Sequence, residues 1–87
     1  MPIIIEPKTE FRDLCEAEIE KALADSDPAN PIAAEVARLI QGYTTNFREH
    51  VERLGRIPES ILRIKPRCPI EAVAMRLTTE AIKDALR

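Results

Sequence analysis

The chain has 87 residues, of which 45% are apolar and 32% charged, so it fits one small domain spanning residues 1–87 and is too short for two independent cores. No run of about 18 apolar residues could cross a bilayer, and the N-terminus lacks the pattern of a signal peptide. We therefore expect a cytoplasmic protein with no membrane partner. Two distant cysteines, Cys15 and Cys68, exclude a disulfide scaffold or a close metal pair, and we expect reduced thiols.

The chain begins with an extended arm, followed by a predicted first helix. Ile3 to Ile5 form a β-branched run between two prolines, too short for a helix. The helix is expected from Thr9 to Ala24, with Thr9 as its N-cap. Its predicted buried stripe contains Phe11, Leu14, Cys15, Ile19, Ala22 and Leu23.

The stretch from Pro31 to Leu54 predicts one long helix. Asn30 is a favourable N-cap, and Gly55 follows where a C-terminal cap is expected. Residues 42–46 have low helix propensity and could bend or break the helix. The heptad phase continues across them, however, which favours one helix with or without a kink.

The heptad spacing also predicts a helix–helix seam along this helix, serving as a subunit contact as well as a core. The predicted dimer seam contains Val36, Ile40, Tyr43, Phe47 and Leu54. His50, the only histidine, falls in the same heptad pattern. In a straight helix Val51 drifts into its place, which favours a His50 ring partly in water over a buried, pH-sensitive one.

The remaining segments combine an ambiguous connector with a last helix. Pro58 and Glu59 could open a helical turn, whereas residues 61–64 could form a strand paired with residues 3–5. Pro69 then opens the last helix. A second apolar face on this helix, formed by Met75, Ile82 and Leu86, suggests a central position or a partner. The predicted fold class is all-α, a small three-helix bundle with an extended N-terminal arm.

The sequence carries no catalytic signature. It has no glycine-rich phosphate loop and no GxSxG, HExxH or CxxC motif, so we predict no enzyme activity and no catalytic, cofactor or metal site. A nucleophile built from His50 and a cysteine is conceivable, but inert thiols are far commoner.

Charge is distributed unevenly, with acids dominating residues 1–35 and arginines residues 48–76. Intramolecular pairing is the simplest explanation. A partner site could use Arg48, Arg56, Arg63, Lys65 and Arg67. We expect an adaptor, regulator or inhibitor that binds another protein as a homodimer. The alternative is a nucleic-acid or nucleotide-binding module using residues 48–67, with Tyr43 stacking on a base; the acidic overall charge counts against it.

Overall fold

The computed structural model describes residues 6–25, 27 and 29–86, and these are all-helical, as predicted. A 3-10 turn at Thr9–Phe11 precedes four α-helices. They are α1 (Glu16–Ala24), α2 (Pro31–Leu54), α3 (Glu59–Leu62) and α4 (Pro69–Ala85). The predicted bundle of three main helices is confirmed, with α1, α2 and α4 as its members, and no strand occurs in the described ranges.

The first helix is shorter than its apolar pattern predicts. Thr9 opens only the 3-10 turn, and α1 begins at Glu16 with Cys15 as its N-cap. Cys15 was expected in the buried stripe but is exposed, so that prediction was wrong. The Lys8 N–H donates to the Glu35 carboxylate of α2, and Phe11 enters the core from the 3-10 turn rather than from α1.

The bounds of α2 agree with prediction because its capping signals are local. The Asn30 Oδ1 atom accepts a hydrogen bond from the Ile32 N–H at 2.9 Å. Gly55 ends the helix with φ 69°, a left-handed conformation that favours glycine. The helix is uninterrupted through residues 42–46, and the Thr45 hydroxyl donates to the Gln41 carbonyl one turn earlier.

The buried face of α2 follows the period of an α-helix rather than a strict heptad. Leu39, which lies outside the predicted seam, is fully buried, and Val51 is buried where the heptad would place His50. A straight helix drifts by about 20° per heptad, which brings Val51 inward and leaves His50 exposed. The prediction for His50 is confirmed. Leu54, in the last turn, is half-exposed.

Residues 57–65 adopt the helical alternative. Ile61 and Leu62 both donate backbone hydrogen bonds to Pro58, which opens the single turn of α3. Residues 61–64 therefore form no strand, and residues 3–5, their predicted partner, lie outside the described residues. Within α3 only Ile61 faces the core.

The two longest helices, α2 and α4, pack against each other, and α1 packs against both. The connector 55–68 joins the end of α2 to the start of α4. Residues further along α2 lie near residues further along α4, so the two helices run in the same direction. Successive positions that share an environment are Tyr43 with Glu71, Phe47 with Met75, and Val51 with Ile82.

Candidate functional site

Two glutamates are buried at the starts of α2 and α4. Glu35 is 3% exposed and Glu71 1% exposed. Arg38 Nε donates to Glu35 Oε1 at 2.7 Å, and the Lys8 N–H donates to Glu35 Oε2 at 2.7 Å. Arg67 donates to Glu71 through its backbone N–H and its guanidinium, at 3.2–3.3 Å. Both buried carboxylates therefore have the donors that a buried charge requires.

Glu6 joins these two ion pairs. Its carbonyl accepts a hydrogen bond from Arg38 Nη2 at 2.9 Å, and its carboxylate pairs with Arg67 Nη1 at 2.8 Å. We call Glu6, Glu35, Arg38, Arg67 and Glu71 the carboxylate–arginine network. It fastens residues 6–8 across the starts of α2 and α4.

Hydrogen bonding favours the charged forms of Glu35, Arg38 and Arg67. The hydrogen bonds from Arg38 lower the pKa of Glu35 against the opposing effect of burial, and the Lys8 N–H lowers that pKa further. The same contact raises the pKa of Arg38, and hydrogen bonds to Glu71 and Glu6 raise the pKa of Arg67. Glu35 and both guanidiniums are therefore charged at neutral pH.

The five predicted partner-binding cations do not form one site. Arg67 belongs to the carboxylate–arginine network. Arg48 on α2 and Arg63 at the end of α3 each pair with a glutamate one turn earlier or later in the sequence. Arg56 and Lys65 are exposed and have no ion-pair partner among the described residues.

The predicted dimer seam lies mostly within the core of a single chain. Val36, Tyr43 and Phe47 are buried, and the Tyr43 and Phe47 rings stack with centroids 5.9 Å apart. Burial raises the pKa of Tyr43 to about 12. Ile40 is partly buried and Leu54 is 50% exposed. Of the seam residues, only Leu54 and part of Ile40 remain for a contact with a second subunit.

Two depressions lie beside α2 and α4, an apolar groove at their second halves and a smaller cavity of mixed polarity. The α2–α4 groove has a volume of about 430 Å³ and is lined by Thr44, Arg48, Val51, Glu52, Ala81, Ile82, Ala85 and Leu86. A smaller cavity of about 140 Å³ lies between α3 and α4, lined by Phe47, Ile61, Leu62, Ile64, Met75, Arg76 and Thr79. The second apolar face of α4 was the sequence signal for both, since Ile82 and Leu86 line the first and Met75 the second.

Large exposed apolar side chains also concentrate in this part of the molecule. Among the described residues they are Leu54, Leu62, Ile64 and Leu86, all between 41% and 52% exposed. None belongs to the first half of α2 or of α4. Of these, Leu62 and Ile64 lie together at the smaller cavity, and exposed apolar side chains that lie together are typical of a binding site.

The remaining chemistry-bearing residues are dispersed. Cys15 and Cys68 are free thiols, and His50 is exposed. In the described ranges, no group of three or more histidine, cysteine and acidic side chains is placed to hold a metal. None of the described helices combines the length and hydropathy that a membrane crossing requires.

The sequence matches no known protein-family model, and no significant match was found to a curated protein or a solved structure. Function is therefore inferred from the surfaces themselves.

Proposed function

We propose that this chain is a non-enzymatic interaction protein, an adaptor, regulator or inhibitor, that binds an acidic partner protein and acts as a homodimer. The proposed partner site is the α3 surface, which comprises Arg56, Leu62, Arg63, Ile64 and Lys65. The observation that carries the proposal is the exposure of Leu62 and Ile64, at 52% and 41%, within this run of cations.

The α3 surface combines the two properties of a protein-binding site. Leu62 and Ile64 are exposed beside the cavity between α3 and α4, so a partner that covers them would gain apolar contact. Arg56 and Lys65 lie on either side of α3 in the sequence, and their charges are not neutralised by any described acidic residue. Unpaired cations around an apolar centre favour a partner with acidic residues at its rim.

A protein partner is favoured over a nucleic acid because the aromatic side chains are inaccessible. Phe11, Tyr43 and Phe47 are the only aromatic residues, and each is at most 8% exposed. None can stack on a base without unfolding part of the core. Leu62 and Ile64, in contrast, present apolar area that a phosphate backbone does not match.

The proposal can be tested by affinity capture from the native cell with matched variants. The wild-type chain should retain an acidic protein that Leu62→Ser with Ile64→Ser loses. Leu54→Ser is the control, because Leu54 is equally exposed but lies outside the α3 surface. Equal retention by the wild type and the double variant would contradict the proposal.

A salt series separates the two classes of partner. Binding to an RNA or DNA oligonucleotide through phosphates would weaken steeply and linearly with the logarithm of salt concentration. We expect no such binding at physiological salt. A steep salt slope that is lost in Arg56→Ser with Lys65→Ser would instead support the nucleic-acid alternative.

A further inference from the structure

We infer that the α2–α4 groove is the contact between two copies of this chain, related by a two-fold axis with their α2 helices antiparallel. This inference rests on the homodimer in the proposed function and assigns the face that forms it. It places the contact at the groove rather than along the seam predicted from the heptads.

The rim of the groove on α2 is complementary to itself. Arg48 Nε lies 2.9 Å from Glu52 Oε1, and these side chains are 74% and 65% exposed. A two-fold axis midway between them would set Arg48 against Glu52 of the partner subunit, and Glu52 against Arg48 of the partner subunit. A two-fold contact uses the same patch on both subunits, so it requires this self-complementarity.

The walls of the groove suit a helix of the second copy. Ala81 and Ala85 on α4 are small and exposed, which lets a facing helix approach closely, and the partly buried Ile82 adds apolar area. Leu86 is 44% exposed at the end of the groove and would be covered by the partner subunit's α2. Two parallel α2–α4 pairs would thereby meet as four helices around a shared apolar contact.

The charge of the rim favours a second copy over another occupant. Arg48 and Glu52 provide one cation and one anion, so the rim selects neither an acidic nor a basic partner. It does match its own reversed copy. The α3 surface, with its unpaired cations, lies outside the groove lining and would stay available to a different protein.

Two opposite charge variants test this arrangement. Arg48→Glu makes both rim residues acidic, and Glu52→Arg makes both basic, so each variant alone would place like charges across the two-fold axis. Each should self-associate at least about tenfold more weakly than the wild type. Mixed in equal amounts, the two variants should form a heterodimer, because an all-acidic rim then faces an all-basic one.

A matched control lies on the same helix. Glu49 and Arg53 form an equivalent exposed pair at 3.6 Å, turned by about 100° around the helix. Glu49→Arg and Arg53→Glu should leave the dimer mass unchanged by light scattering. Far-UV circular dichroism of all four variants should match the wild type, since the replaced side chains are exposed.

The outcomes separate this inference from the proposed function. A dimeric wild type whose Arg48→Glu variant also stays dimeric, or variants that form no heterodimer on mixing, would overturn the groove contact and leave the homodimer standing. A monomeric wild type at high micromolar concentration would overturn both the groove contact and the homodimer. Capture of the acidic partner by monomeric Arg48→Glu would show that the α3 surface acts independently.

Discussion

The starts of the parallel helices α2 and α4 differ from their ends in which side chains are exposed to water. At the starts, Glu35 and Glu71 are charged side chains buried in the fold, and each is paired within the same chain. At the ends, Leu54 and Leu86 are apolar side chains left exposed. The starts are thus complete within one chain, whereas the ends carry surface that one chain does not cover. The groove proposed as the dimer contact lies toward these ends.

The largest contrast should come from two leucines of α2. Leu39→Ala removes a fully buried side chain and should lower the free energy of unfolding by about 2–5 kcal/mol. Leu54→Ala removes a half-exposed one and should change it by less than about 0.5 kcal/mol. Urea denaturation at a chain concentration that is the same for both variants measures this. Similar losses of unfolding free energy in the two variants would contradict the difference in burial between Leu39 and Leu54.

A second contrast compares a buried and an exposed carboxylate. Glu71→Gln removes the charge that accepts hydrogen bonds from Arg67 and should cost about 1.5–3 kcal/mol of unfolding free energy. Glu49→Gln weakens an exposed pair and should cost under about 0.5 kcal/mol. Thermal and urea unfolding should both show a larger loss of stability for Glu71→Gln than for Glu49→Gln. Equal costs would show that the network at the starts contributes no more than a surface pair.

The pH dependence of stability provides a smaller and more specific effect. The pKa of Glu35 is lower in the folded chain than its ordinary 4.5, so folding disfavours its protonation. Its stabilising contribution is complete above pH 4.5 and is lost as the pH falls through the lowered folded value. Wild type should therefore exceed Glu35→Gln in stability at neutral pH, and the difference should shrink in acid. A difference independent of pH would contradict this role of the carboxylate.

Substitutions on the α3 surface should have little effect on stability. Leu62→Ser with Ile64→Ser replaces side chains that are already about half in water, so unfolding free energy should change by less than about 0.5 kcal/mol per site. The folded double variant should also bind less of an apolar dye than the folded wild type. A large loss of stability would mean that these two side chains serve the core instead of a partner.

Prediction from sequence succeeded where the signals were local. Asn30, Pro31 and Gly55 act on the backbone beside them, so both ends of α2 could be predicted. Sequence reasoning missed Leu39 because a strict seven-residue repeat was followed where the helical period is 3.6. For the candidate site, the second apolar face of α4 predicts apolar surface, and the excess of arginines in residues 48–76 predicts the exposed cations beside α3.

The sequence by itself determined the all-α class, the bounds of α2 and the exposure of His50, because capping and helical periodicity depend on residues within a few turns of one another. Only the tertiary structure decided that α1 starts late, that Arg67 serves the fold, and that a groove opens between α2 and α4. Arg67 meets Glu6 across 61 positions of sequence. Such pairings depend on how separate helices are placed in space, and no local pattern of charges or apolar residues specifies that placement.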